Sequence, residues 1–449
     1  MIQFSEDYII EFKNIIERKD VNTAKELLKE LHPADIAELY QALSLDEAEF
    51  VYMLLDSETA ADVLVELDED ERQKLLKHIP NEMIAKQLIE QLETDDAVDL
   101  IRQMEEEDQE EVLSHIDDAE QAGDIVDLLK YEEGTAGGLM GTEMVIVNEN
   151  WSMPECLKEM RQQAEEMNEI YYVYVVDDDE KLKGVFPLKK MITHPSVAKI
   201  KHVMKRDPLS VRTDTPIEEV TQAFEKYNLV AMPVIDSIGR LVGRITVDDI
   251  MDEVREQSER DYQLASGISQ DVETTDNVLA QTGARLPWLI IGIFGGLTNS
   301  IILGNFVDGF VTNPAMALFI PLIGGTGGNV GTQSSAIVVQ GLANGSLDIK
   351  HAGKQIVKEV GVSLINASII ALLVFGFNMI KGTSADITVA VSLALFSMVI
   401  FASIFGTVVP VTLEKLKIDP AIATGPFIAI TNDIVGMVIY MSFCTLLMA

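Results

Sequence analysis

The sequence predicts a multidomain membrane protein: an all-α, acidic, superhelical N-terminal domain, an α+β pair of duplicated modules, a connecting helix, and a transmembrane domain of five α-helices. Three observations predict it. The formal net charge is −39, and nearly all of it precedes Leu286. Residues 138–254 contain an internal duplication. From Leu286 onward, apolar runs long enough to cross a bilayer follow one another.

Residues 5–130 carry apolar residues at helical spacing, in segments of about 8 to 15 residues ended by turn signals. Related phrases recur, Ala34-Asp35-Ile36-Ala37-Glu38-Leu39, then Ala61-Asp62-Val63-Leu64, then Asp96-Ala97-Val98-Asp99-Leu100. Short acidic helices stacked as a small superhelix fit this pattern. So acidic a surface repels nucleic acid and anionic lipid headgroups and attracts divalent cations, so no nucleic-acid partner is expected. Plain solvation is the competing account of the acidity. Cys156 and Cys444 are too few for a disulfide framework. The opening MIQFSEDYII has no basic stretch, which predicts no cleavable signal and a cytoplasmic N-terminus.

In the duplication, MVIVNENWSMPECLKEM and IYYVYVVDDDEKLKGVFPLKKMI are answered by LSVRTDTPIEEVTQAF and LVAMPVIDSIGRLVGRITVDDIM. Each copy predicts a short strand, a helix opened by Pro154 or Pro216, two strands joined by an Asp/Gly turn, and a helix. The pair resembles tandem cystathionine-β-synthase (CBS) modules, which implies dimerisation and ligand sensing.

A polar connector, about 252–267, and a linker lead to Arg285-Leu286-Pro287-Trp288, a basic residue and a Trp at the start of an apolar run, as at a cytoplasmic interface. Five spans are expected, at about 286–306, 315–342, 359–379, 388–413 and 420–448. Arg285, Lys350, Lys354, Lys358, Lys415 and Lys417 then fall in cytoplasmic loops and only Lys381 outside, which places the C-terminus outside.

Two spans carry chemistry. The second contains Gly324-Gly325-Thr326-Gly327-Gly328-Asn329-Val330-Gly331-Thr332-Gln333-Ser334-Ser335, glycines and amides that lipid does not favour. A small-residue packing face is the alternative account. The fifth holds Asp433; with a helix starting at Pro420 it lies about 20 Å along, near mid-membrane. There Pro426 frees the carbonyl of Ile422, and the small residues Ala421, Gly425, Ala429 and Gly436 admit water. Mg²⁺ takes oxygen ligands, keeps its waters and needs only one or two carboxylates. A structural acid or a proton relay stays open as the alternative.

GGTGGNVGTQ, DPAIATGPFIAITNDIVG, five C-terminal spans, the tandem CBS pair and the acidic helical domain together resemble the MgtE family of magnesium channels or transporters. The resemblance implies domains at 1–135 (helical, Mg²⁺-sensing), 136–202 and 203–252 (CBS modules), 253–284 (plug helix and linker) and 285–449 (membrane). It implies a homodimer in a prokaryotic cell membrane, with a pore on the two-fold axis. The pore set is Asp433, Asn329, Gln333, Gly425 and Ala429, with Asp419 at the mouth. The sensor set is Asp62, Asp95, Asp96 and Asp99 in the helical domain, Glu218, Asp248, Asp249 and Asp252 in the second module, and Asp261 on the plug, where it would meet Asp419. ATP in the CBS pair is also allowed, with Tyr172 near adenine and Lys190 toward phosphate.

The expected function is passive Mg²⁺ influx, closed by intracellular Mg²⁺ on the acidic domains. Transport of Co²⁺, Mn²⁺ or Ni²⁺, proton-coupled exchange, and a membrane-anchored CBS nucleotide sensor are the competing functions. No His/Cys metal cluster, phosphate loop or nucleophile paired with a base points to an enzyme.

Overall fold

The computed structural model describes residues 4–40, 42–164, 167, 170–189, 199–270, 272, 278–343, 346–347, 352–423 and 425–448. They form two compact units, Met1–Val254 and Arg255–Ala449.

The first unit opens with short helices, α1 (Glu6–Glu17), α2 (Val21–Leu28), α3 (Pro33–Tyr40), α4 (Leu45–Tyr52), α5 (Ser57–Glu66), α6 (Glu69–Leu76), α7 (Asn81–Met83), α8 (Thr94–Arg102), α9 (Glu106–His115) and α10 (Ala119–Leu128). The side chains just before them explain the starts. Asp20, Asp56 and Asp118 accept bonds from the amides of Thr23, Thr59 and Glu120, and Ser44 forms a reciprocal box with Glu47. Each helix is too short to stand alone, so its apolar face is what holds it. Phe12, Ile36, Leu64, Ile84, Leu88, Leu100, Ile101 and Ile125 are all buried in one core.

After α11 (Ala136–Leu139) come two sheets. The first has the order β1-β2-β3-β4, made of Val145–Asn148, Val173–Val176, Leu182–Phe186 and Lys205–Arg206; the second has β5-β6-β7, made of Val211–Arg212, Ala231–Ile235 and Leu241–Thr246. Helices α12 (Met153–Gln163), α13 (Ile200–Val203) and α14 (Ile217–Tyr227) flank them. The duplication is visible in detail. β1 pairs parallel to β2 and β5 parallel to β6, and each next pairing is antiparallel with a register shift before the turn. In both turns an Asp side chain gathers backbone amides: Asp177 accepts from Asp179 and Lys181, and Asp236 from Ile238 and Arg240.

The second sheet shares its core with the helical domain, since Ile217, Val220, Phe224, Met232 and Ile245 belong to the same cluster as Phe12 and Leu100. The first module keeps a core of its own around Val145, Cys156, Val173 and Phe186. Strand β4, although it lies past residue 202, pairs with β3 and so completes the first sheet.

Helix α15 (Val247–Ala265) follows, then α16 (Val278–Gly304), α17 (Val307–Thr312), α18 (Ile320–Ala343), α19 (Ala352–Lys381), α20 (Ala385–Lys415) and α21 (Gly425–Met448). Among the described residues, four helices, α16, α19, α20 and α21, are long and apolar enough by themselves to cross a membrane. α18 has the length, but its glycines and amides dilute its hydropathy; it packs against α20 and α21. α20 is the hub, with Ala390, Ala394, Leu395, Met398 and Ala402 wholly buried, while α16 and α19 show long exposed apolar faces.

Two expected boundaries move with consequences for the site. The fifth span begins with a 3₁₀ turn, Pro420–Ala423, and its α-helix starts at Gly425. Pro426 therefore sits in the first turn, where a missing amide costs no helical bond, so it frees no carbonyl at Ile422. The third span starts at Ala352, so Glu359 lies inside the helix rather than at its end. It is buried, and Ser334 of α18 and Ser403 of α20 both donate their hydroxyls to its Oε1.

Candidate pore and acidic site

Glycine makes the contact between α18 and its neighbours. A Cβ on Gly406 of α20 would overlap the carbonyl of Gly331, and a Cβ on Gly331 would overlap the amide of Asn432. The backbones thus approach more closely than any side chain permits. Asn432 is fully buried and donates from Nδ2 to the Gly327 carbonyl at 3.2 Å, tying α21 to α18. The sequence reading passed over this residue, because only the folded pair of helices supplies its partner.

The next residue is Asp433, about 12 Å along α21 by the helical rise and half-buried. It lies against the glycine face of α18, where a Cβ on Gly324 would come within 3.3 Å of its Oδ1 and one on Gly328 within 3.9 Å. Among the described residues no hydrogen bond or ion pair reaches its carboxylate. Ala429, one turn earlier, faces Gly328. Asn329 and Gln333 are exposed on α18, in line with exposed Gly325, and neither amide has a protein partner among the described residues. Thr332 instead returns its hydroxyl to the Gly328 carbonyl at 2.9 Å.

Gly425 contributes no side chain for a conformational reason. Its φ is +47°, and a Cβ would overlap the carbonyl of Ala265 at the end of α15. Asp419 is exposed, and its Oδ1 accepts the Ala421 amide at 2.8 Å, which caps the 3₁₀ turn. Asp261 of α15 is held above the usual carboxylate range by burial, against a bond from Gln257, with the Asp419 charge adding to the rise. Those two acids therefore lie near enough to repel.

The second set of acids gathers in the first unit. Helix α8 begins beside the start of the first module, where Thr94 donates its amide to Glu143 at 2.8 Å. Carboxylate oxygens of Glu93, Asp95 and Glu143 lie within 4.8 Å of one another. Asp249, in the first turn of α15, adds its charge to Asp95 and Asp96. Burial, then Asp249, Asp99 and Glu93, push Asp96 up to about 7. Burial also raises Asp249 to about 6, although Thr246 donates to it twice. Asp95 is raised well above the ordinary range by burial and by Asp249, Asp96, Glu143 and Glu93. Arg244, buried and 2.9 Å from Glu93, relieves that acid only in part, since burial still leaves it raised. Repulsion of this kind is relieved either by protons, as the raised values record, or by a cation.

Of the expected sensor residues, Asp95, Asp96 and Asp249 are thus brought together, with Asp99 and Asp248 at the rim. Glu93 and Glu143 belong with them and were missed. Asp62 is exposed on α5 among Glu58, Asp56 and His32; Glu218 is exposed in the first turn of α14 and Asp252 on α15. Tyr172 packs against the Met144, Tyr174 and Leu241 cluster, and Lys190 lies outside the described residues.

Comparison with known proteins agrees with this layout. A family profile described as a divalent cation transporter matches residues 320–443, the MgtE intracellular N domain matches 31–134, and the CBS domain matches 136–196 and 200–256. The chain is 32% identical to the magnesium transporter MgtE of Thermus thermophilus over 99% of both chains. It is 34% identical to that of Enterococcus faecalis over 96% of this chain and 95% of the other. Among solved structures, the soluble part of a magnesium transporter aligns with a TM-score of 0.51 at 29% identity, covering 56% of this chain and 99% of the other. The cytosolic domain of the Mg²⁺ channel MgtE in complex with ATP aligns at 0.52 and 33% identity, covering 55% and 99%. With its acidic helical domain, CBS pair and glycine-packed membrane helices matched over nearly its whole length, the chain belongs to the MgtE family of magnesium transporters.

Proposed function

We propose that the protein is a homodimeric Mg²⁺ channel through which the ion enters passively, with the N-terminus, the helical residues Arg285 and Lys354 and the turn at Lys417 on the cytoplasmic side and the C-terminus outside. Asp433 carries the reading. A membrane carboxylate without a partner among the described residues, set against bare glycine backbone one residue from the exposed Asn329, suits a hydrated divalent ion better than a packing role. Symmetry would supply the second Asp433, and Asn329, Gln333 and the backbone at Ala429 and Gly425 would meet the ion's waters.

Closure rests on the acid cluster. Mg²⁺ bound by Asp95, Asp96, Asp249, Glu93 and Glu143 would favour the compact arrangement of the first unit by differential binding, and α15 would carry the change toward Asp261 and Asp419. ATP in the CBS pair, beside Tyr172, would add a second ligand, as in the ATP-bound relative.

The test is Mg²⁺ uptake and single-channel recording in liposomes. Asp433→Asn should cut uptake by at least about 100-fold while the dimer still assembles, since about 3 kcal/mol of ion stabilisation is lost. Undiminished uptake by that variant would remove the pore assignment. Proton coupling is the second reading, favoured by Glu359, an acid now placed inside the bundle. A pH gradient that drives Mg²⁺ uphill, and fails to do so in Glu359→Gln, would establish it over the passive channel.

A further inference from the structure

A cavity of about 720 Å³ in the second unit lies between the turn that ends α15, the middle of α16 and the first turns of α21. Its lining is ordered along the helix axis. Arg285 comes first, then Trp288, then Ile293, with Pro426 and Ile430 opposite. From Arg285 to Ile293 is about 12 Å by the helical rise, the descent from headgroup level into hydrocarbon. Among the described residues Arg285 is the only charged one of the lining. It is exposed, donates to Gln281 at 3.3 Å, and meets no carboxylate among the described residues. The outer side of α16 is exposed at Leu289, Ile290 and Phe294, so in the bilayer acyl chains lie beside the opening.

We infer that the cavity binds a phospholipid with an anionic headgroup, its phosphate on Arg285, its glycerol level beside Trp288 and an acyl chain along Ile293 and Ile430. Charge and depth select this occupant. A zwitterionic lipid offers the same phosphate but brings its own cation beside the guanidinium, which offsets the pairing, and a free anion leaves the apolar wall bare. Although the protein as a whole repels anionic headgroups, salt screens that repulsion beyond about 8 Å while a contact phosphate is screened little.

The site also touches gating parts. Gly267, at φ +81°, seats the turn on Pro426, where a Cβ would come 2.5 Å from Cγ. One lipid would thus contact the end of the connecting helix and the start of the pore helix together, and stabilise the arrangement in which they meet.

The experiment uses the full chain with Trp151→Phe, leaving Trp288 as the one tryptophan of the two. It is reconstituted in phosphatidylcholine vesicles containing about 20 mol % of either brominated phosphatidylglycerol or brominated phosphatidylcholine, and Trp288 quenching is read. One basic contact at an anionic lipid corresponds to about a fivefold preference, which makes quenching by the brominated anionic lipid nearly threefold that by the neutral one. Arg285→Gln, checked for unchanged elution and unchanged neutral-lipid quenching, brings the two to equality. Equal quenching before the substitution, as would follow if a second copy of the chain filled the cavity, overturns the inference. So does a preference that survives Arg285→Gln.

Discussion

Protons and Mg²⁺ should compete at the acid cluster, and the size of the competition follows from its geometry. Mg²⁺ needs ionised carboxylates. Asp96 is pushed up to about 7 and Asp249 to about 6 by burial and by their neighbours. With those positions, both are ionised in about 90% of molecules at pH 8 and in about 5% at pH 6. If both must ionise to hold the ion, the apparent Mg²⁺ affinity falls about 20-fold over those two units. Asp249 accounts for about twofold of this, so Asp96→Asn should reduce the pH dependence by about tenfold, Asp95 contributing alike to both proteins. The assay is calorimetric Mg²⁺ titration of the full-length protein at pH 6, 7 and 8, paralleled by the Mg²⁺ concentration that half-closes the channel. A change below twofold in the unsubstituted protein, or an equal change in Asp96→Asn and the unsubstituted protein, refutes the assignment. Without Mg²⁺ the stability trend has a fixed sign. Both groups sit above their unfolded value of 3.8, so the folded state holds more protons and its stability falls as pH rises through the window from about 4 to about 7.

Other consequences are local. Gly406→Ala places a methyl group on the Gly331 carbonyl and should cost about 1–3 kcal/mol, read as a lower midpoint in heated size-exclusion profiles of the detergent-solubilised protein. Asp56→Ala removes the cap on the Thr59 amide and should cost about 1 kcal/mol of thermal stability in the first unit, leaving Mg²⁺ affinity at the cluster unchanged.

Much of the fold is written locally. Ser44 and Glu47, three apart, announce a helix start, and the paired Asp177 and Asp236 turns announce the duplication. Asp433 is legible because an acid in an apolar run is costly wherever its helix begins. What the sequence hides depends on partners far along the chain. Glu93 looks like one acid among many until Glu143 and Arg244 approach it, and Asn432 looks like a polar lapse until Gly327 is beside it. Glu359 misled for the same reason: only Ser334 and Ser403, on two other helices, make a buried site for it. The start of α21 at Gly425 was hidden because Pro420 and Pro426 are both good first-turn residues, and the contact with Ala265 favours the second.

The continuous core that joins the helical domain to the second sheet bears on how the protein unfolds. Leu100 and Ile101 share their cluster with Phe224 and Ile245, so neither partner can lose its packing without uncovering the other. The helical domain and second module should melt as one cooperative block, whereas the first module has a separate inner core around Val173 and Phe186 and meets the second only through the smaller cluster of Tyr174, Val185 and Leu241, so it should open first. Hydrogen exchange should therefore group the amides of β6 and β7 with those of α8, far away in sequence, and set those of β1 and β2 apart. Amputating the helical domain to probe sensing would leave half a core in water, so the role of Mg²⁺ is better resolved by changing single carboxylates.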